Sequence, residues 1–111
     1  MMMDKNSQLA LVIAYYLSKF DQRAYKELKY ESMTVAHLEL GRILNVKASK
    51  IKNMRDEFDS IHDNPRVGWY QRDLRPSRME IVDKYENFSE EELKAVVFKI
   101  ISDGYSTMLK F

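Results

Sequence analysis

Residues 40–58, LGRILNVKASKIKNMRDEF, decide the fold that this sequence predicts. Apolar side chains recur along them at the spacing of two helices joined by a tight turn: Leu40, Leu44, Val46, Ile51 and Met54. Gly41 stands where two crossing helices need their backbones to approach closely. Asn45 falls in the turn, where a positive φ is usually required, and asparagine tolerates that conformation better than any residue except glycine. The stretch therefore predicts a helix, a turn and a second helix.

This spacing resembles the helix-turn-helix of DNA-binding proteins, in which the second helix enters the major groove of the duplex. All five apolar positions match that pattern, and the turn departs from it in having Asn45 where glycine is usual. The resemblance places the motif at about residues 34–60. The alternative is a pair of ordinary packed helices, since helical bundles reuse the same spacing.

In the helix-turn-helix interpretation, five residues form the exposed edge of the recognition helix and meet base edges or phosphates of duplex DNA: Lys47, Ser49, Lys50, Lys52 and Asn53. Asparagine can pair with adenine through two hydrogen bonds, and lysine can donate to guanine or to phosphate. The acids Asp56, Glu57 and Asp59 fall at the far end of the helix, away from the N-terminal part that usually makes the base contacts. In the alternative interpretation, the same five residues are solvated side chains of a surface helix.

The whole chain predicts an all-α fold, in which residues 1–111 form a single domain with about six helices around one core. Only three glycines and two prolines favour long helices with few turns. Helical periodicity predicts helices at 7–20 and 22–29 before the motif, and C-terminal helices over 77–104 after it. The last of these begins at a capping box, Ser89 to Glu92, and Gly104 is its expected C-terminal cap. The domain is either complete or a fragment of a longer protein.

Periodicity also assigns individual side chains to the core and to the helix caps. Four residues of the third helix are expected to point inward: Val35, Leu38, Ile43 and Leu44. On the fourth helix only the apolar Ile51, Met54 and Phe58 need to be buried, and Ser49 is the expected N-cap. Asn6 or Ser7 is the expected N-cap of the first helix.

A basic aromatic loop at residues 63–77, with Arg78 directly after it, forms the second informative stretch. It combines four arginines with two neighbouring aromatic residues: Arg66, Trp69, Tyr70, Arg72, Arg75 and Arg78. Arginine binds phosphate, and aromatic rings stack on bases or pack against sugars, so the loop predicts further contacts to nucleic acid. The alternatives are a loop that crosses the bundle with Trp69 in the core, or arginines that contact an acidic partner.

The sequence lacks the residues of a catalytic centre. Without cysteine there is no disulfide, thiol nucleophile or cysteine zinc site, which fits an intracellular, cytoplasmic protein. His37 and His62 lack the spacing of metal ligands and are expected at the surface or at helix caps. No glycine-rich phosphate loop or nucleophile elbow occurs, and the longest apolar run, residues 9–17, is too short to span a bilayer. The sequence therefore predicts no enzyme, no cofactor, no metal and no membrane partner.

Residues 51–78, IKNMRDEFDSIHDNPRVGWYQRDLRPSR, resemble a segment of the amino-terminal regions of restriction-type endonucleases, including HNH nucleases. The resemblance covers about the middle quarter of the chain. It implies a DNA-recognition module of a restriction-modification enzyme, whose nuclease lies in another domain or chain, since no nuclease motif is present here. The alternative function is a small protein-interaction module, such as a phage or defence-system regulator or inhibitor, that uses the same basic aromatic surface.

Overall fold

The computed structural model describes residues 4–59, residue 61 and residues 75–108, the last of them by its backbone only. Their regular structure is entirely helical: α1 (Lys5–Phe20), α2 (Gln22–Glu27), α3 (Met33–Leu44), α4 (Ala48–Asp59), α5 (Pro76–Tyr85) and α6 (Glu90–Met108). The all-α fold and the number of helices predicted from the sequence are therefore confirmed.

The first helix, α1, forms the centre of the bundle. Every side chain from Ala10 to Leu17 is buried, and the helix contacts each of the other five described helices. Its most extensive packing is against α4, where the rings of Tyr15 and Phe58 meet edge to face at 5.3 Å. A helix that is apolar on all sides is stable only where neighbouring helices cover it, so α1 lies in the middle of the core.

The N-cap of α1 lies earlier than the sequence interpretation placed it. Asp4, rather than Asn6 or Ser7, caps the helix, because its carboxylate accepts hydrogen bonds from the backbone N–H of Ser7 at 2.8 Å and from the Ser7 hydroxyl at 3.2 Å. The bond from the backbone N–H of Ser7 lowers the pKa of Asp4 below its ordinary value of 3.8. Ser7 itself is buried in the first turn of the helix.

The inward face of α3 was predicted only in part. Ile43 and Leu44 are buried as expected, but Val35 is 41% exposed and Leu38 is 60% exposed. The buried stripe runs instead through Ala36, Leu40 and Ile43, at the i, i+4 and i+7 spacing of one helix face. Three helices, α1, α4 and α6, pack against α3, and the small Ala36 is one of the residues on its buried face.

The predicted start of α6 is confirmed and its predicted end is wrong. The N–H of Ser89 donates to the Glu92 carboxylate at 2.8 Å, and the N–H of Glu92 donates to the Ser89 hydroxyl at 3.1 Å, which is a complete capping box. Gly104 does not cap the helix, which continues to Met108. A Cβ atom at Gly104 would overlap Cγ2 of Ile43, so the glycine allows α3 and α6 to pack closely.

Candidate nucleic-acid interface

Three residues, Asn45 to Lys47, join α3 to α4, and their geometry follows the sequence prediction. Asn45 has φ 57° and ψ 45°, the left-handed conformation that ends α3. The N–H of Val46 donates to the Gly41 carbonyl at 2.9 Å. A Cβ atom at Gly41 would lie 2.6 Å from the Val46 carbonyl oxygen and 3.2 Å from the Ala48 nitrogen. Both the positive φ at Asn45 and the close approach at Gly41 are therefore confirmed.

The two halves of α4 differ in their surroundings. In the N-terminal half, Ser49, Lys50, Lys52 and Asn53 are exposed, as is Lys47 just before the helix. Ile51, Met54 and Phe58 are buried, as predicted. Ser49 is not the N-cap, because the helix already begins at Ala48 and places Ser49 in its first turn.

The C-terminal half of α4 buries four charged residues, although the sequence interpretation required burial only of the apolar residues of this helix: Arg55, Asp56, Glu57 and Asp59. Arg55 donates to the Asp56 carboxylate at 2.9 Å and 3.2 Å and to the Tyr25 hydroxyl at 2.9 Å. That hydroxyl lies 2.7 Å from Nε2 of His37, so His37 is a buried network residue and its expected surface position is wrong. The Ser18 hydroxyl donates to Asp59 at 2.6 Å. These polar contacts hold α4 to α1, α2 and α3.

Glu57 joins α4 to the start of α5 through two arginines. Arg78 donates to the two Glu57 carboxylate oxygens at 3.0 Å and 3.1 Å, and Arg75 donates to them at 2.6 Å and 3.3 Å. The two arginine side chains differ in exposure, which is 5% for Arg78 and 55% for Arg75. Arg78 is therefore an internal partner of Glu57, whereas Arg75 extends into solvent.

One pocket of about 450 Å³ brings together five of the residues that the sequence predicted to contact DNA: Ser49, Lys50, Asn53, Arg75 and Arg78. Glu57 and Met54 complete its lining. Three cations face one carboxylate there, so the pocket carries a formal net charge of +2. It has hydrogen-bond donors for an anion and, in Asn53, an amide that both donates and accepts.

The three lysines of the predicted site, Lys47, Lys50 and Lys52, have different neighbours. Lys50 donates to the Ser7 hydroxyl at 2.6 Å, and it lines a second pocket of about 590 Å³ with Lys47 and Lys5. Lys52 points the other way along the helix and pairs with Asp56 at 3.1 Å. Lys5, at the start of α1, is a basic neighbour that the sequence interpretation missed, because only tertiary packing brings it to the turn.

Four residues of the predicted site, Arg66, Trp69, Tyr70 and Arg72, lie outside the described residues, as does His62. Within the described ranges, no cluster of three or more histidine, cysteine, aspartate or glutamate residues is arranged to hold a metal ion. None of the helices formed by those residues has both the length and the apolar character needed to cross a membrane. Comparison with protein-family models, curated proteins and solved structures finds no match.

Proposed function

We propose that this chain is a DNA-binding module in which α3, the turn and α4 form a helix-turn-helix. The observation that carries the proposal is the exposed N-terminal half of α4, with Ser49, Lys50 and Asn53 beside Arg75 in one pocket. In this motif the N-terminal residues of the second helix meet base edges, and the flanking cations meet phosphates. The left-handed Asn45 and the close packing at Gly41 are the features that such a turn requires.

The charge distribution supports a phosphate-binding surface. The chain as a whole has a formal net charge of only +1. In the described residues 47–59 and 75–78, however, the exposed charges are four cations, Lys47, Lys50, Lys52 and Arg75, because the three carboxylates are buried together with Arg55 and Arg78. A local basic surface of this kind attracts a polyanion even when the protein is nearly neutral. With three phosphate contacts, for example by Lys47, Lys50 and Arg75, the affinity for DNA would fall about 40-fold as the salt concentration rises from 50 to 200 mM.

Substitutions in α4 and in the basic aromatic loop should affect DNA binding differently. Asn53→Ala or Lys52→Ala should weaken binding in a sequence-dependent way, by about 1–3 kcal/mol on the preferred base pair. Arg75→Ala should weaken binding on all sequences and reduce the salt slope by about one, as should Arg72→Ala from the sequence interpretation. Lys50→Ala belongs with the second group, because Lys50 lines both basic pockets.

The test is a fluorescence-anisotropy titration of the purified chain with random duplex DNA at low and at physiological salt. We expect micromolar binding that falls steeply with salt. Lys99→Ala is the matched control, since Lys99 is an exposed lysine of α6 and lies outside both pockets. Absence of binding at low salt would overturn the proposal and direct the search to a protein partner. Equal losses in Lys99→Ala and Lys50→Ala would overturn the assignment of the surface.

We further propose, from the resemblance of residues 51–78, that this module serves a restriction-type nuclease. Because the chain has no nuclease motif, the module should bind duplex DNA without cutting it. Incubation of supercoiled plasmid with the purified chain and Mg²⁺ tests this directly. Persistence of the supercoiled form is expected, and the appearance of nicked or linear plasmid at a rate proportional to protein concentration would contradict the division of roles.

A further inference from the structure

The pocket of about 590 Å³ beside the turn is lined by the first residues of both α1 and α4. Its charged lining residues are three lysines and one aspartate, which give it a formal net charge of +2: Lys5, Lys47, Lys50 and Asp4. Within the described ranges, the lysines that form salt bridges are Lys52, Lys94 and Lys99. The three ammonium groups of this pocket therefore have no carboxylate bound to them in that part of the chain.

The one carboxylate of the pocket belongs to the cap of α1. Asp4 accepts hydrogen bonds from the backbone N–H of Ser7 at 2.8 Å and from the Ser7 hydroxyl at 3.2 Å. The same hydroxyl accepts a hydrogen bond from Nζ of Lys50 at 2.6 Å. Because Ser7 is only 1% exposed, this chain of hydrogen bonds ties Lys50 to the floor of the pocket. An ammonium group has three N–H donors, so Lys50 keeps two of them for a ligand.

A phosphate group matches this lining in charge and in hydrogen bonding. It carries one or two negative charges near neutral pH, and its unesterified oxygens only accept hydrogen bonds from ammonium groups. Lysine binds phosphate as a compact point charge, without the fixed geometry that arginine requires. Both helices begin at the pocket, so the partial positive charges of their first turns add to that of the lysines.

We propose that this pocket is a phosphate-binding site formed by Lys5, Lys47 and Lys50, in which the buried Ser7 positions Lys50. The phosphate group is carried either by the backbone of DNA or by a phosphorylated small molecule. With DNA as the source, the inference rests on the proposed function and adds Lys5 of α1 to the DNA-binding surface. With a small molecule as the source, the site is independent of DNA binding.

Titration of the isotope-labelled full chain with inorganic phosphate, followed by NMR at an ionic strength held constant with NaCl, tests the site. The backbone amide signals of Lys5, Asn6 and Lys47 should shift and saturate, with a Kd on the order of 1 mM. Lys5→Ala and Lys47→Ala should each raise that Kd about fivefold, the upper range for one exposed ion pair. Shifts that do not saturate would overturn the proposal.

Lys26→Ala is the matched control for the two lysine variants. Lys26 is an exposed lysine of α2 that lies outside the pocket and, like Lys5, forms no salt bridge within the described ranges. The control should bind phosphate like the wild type. An equal rise in Kd for Lys26→Ala and Lys5→Ala would overturn the assignment of the site to this pocket.

Ser7→Ala tests the positioning role of the buried hydroxyl. The substitution removes the acceptor of Lys50 and keeps the backbone N–H that donates to Asp4. The Kd for phosphate should rise about threefold in the wild-type background and should not change further in Lys50→Ala, since Ser7 acts through Lys50. An equal rise in both backgrounds would overturn the positioning role, because a general disturbance of α1 would act on either.

The same variants, titrated with duplex DNA, identify the source of the phosphate. If it is the DNA backbone, Lys5→Ala should weaken DNA binding and reduce the salt slope by about one. Unchanged DNA binding by Lys5→Ala, together with weakened binding of inorganic phosphate, would assign the site to a small molecule. A wild-type chain that binds phosphate but not DNA would overturn the proposed function and support this site. One that binds DNA but not phosphate would overturn this site alone.

Discussion

Replacement of Glu57 by glutamine should destabilise the fold far more than loss of its exposed partner Arg75. The Glu57 carboxylate is buried and accepts hydrogen bonds from Arg78, whose side chain is only 5% exposed, and from Arg75, whose side chain is 55% exposed. The substitution keeps the size of the side chain and removes its charge. The Arg78 guanidinium is then left buried beside a neutral amide, half of which is itself a hydrogen-bond donor.

The magnitude follows from the two bonds that Arg78 makes to Glu57, at 3.0 Å and 3.1 Å. Hydrogen bonds to charged groups contribute about 1.5–3 kcal/mol each. Removal of one partner of a buried ion pair costs about 3–5 kcal/mol, which agrees with that sum. Arg75→Gln, by contrast, breaks a pair that solvent screens, and should cost no more than about 1 kcal/mol. The expected difference between the two variants is therefore about 3 kcal/mol.

Urea denaturation followed by circular dichroism measures this difference. With an m value of about 2 kcal/mol/M, Glu57→Gln should lower the midpoint by about 2 M, and Arg75→Gln by no more than about 0.5 M. The double variant Glu57→Leu, Arg78→Met should recover most of the loss, because apolar residues of similar volume can replace a buried ion pair. Equal midpoints for Glu57→Gln and Arg75→Gln would refute the reasoning, since the pair would then contribute no more than a surface contact.

Three further substitutions test other features of the fold. The buried Tyr16 hydroxyl has no hydrogen-bond partner in the described part of the chain, so Tyr16→Phe should leave the unfolding free energy unchanged or raise it by about 1 kcal/mol; a loss would show that the hydroxyl is satisfied. Gly41→Ala should lower Tm, because overpacking of about 3 kcal/mol against turn backbone exceeds the roughly 1 kcal/mol that alanine gains inside a helix; an unchanged Tm would contradict the close approach. The pKa of Asp4 is lowered from 3.8, so its stabilisation is present above that pH and is lost as the pH falls below it. Asp4→Ala should therefore lower Tm at neutral pH, with a difference from wild type that shrinks below about pH 3.8; a constant difference would exclude the charged cap.

Features that depend on a few neighbouring residues could be predicted from the sequence. The capping box at Ser89 and Glu92 is closed by side chains three positions apart, and its outcome needs no knowledge of the rest of the fold. The positive φ at Asn45 and the close approach at Gly41 are likewise dictated by the short turn between two helices. The exposure of Lys50 and Asn53 followed from the positions of the apolar residues on the same helix.

Features that depend on what covers a helix face could not be predicted. Periodicity shows that α3 has an apolar side, but the burial of Ala36 and the exposure of Leu38 are decided by the positions of α1, α4 and α6. The burial of His37 depends on Tyr25, which belongs to another helix. The grouping of Arg75 and Arg78 with α4 depends in the same way on a contact with Glu57 from 18 and 21 residues away.

The buried acids of α4 remove an electrostatic objection to placing this helix against DNA. A recognition helix that exposed Asp56, Glu57 and Asp59 would repel the phosphate backbone along half of its length. In the structure each of these three residues is at most 7% exposed, and each carboxylate has a described donor: Arg55 or Lys52 for Asp56, Arg75 and Arg78 for Glu57, and Ser18 for Asp59. The acids thus anchor the C-terminal half of α4 inside the bundle, and the side chains that reach solvent near its N-terminus are lysine, serine and asparagine. From this division of the helix we expect Glu57→Gln to lose DNA affinity together with stability. Binding should be restored at low temperature, where the variant is folded.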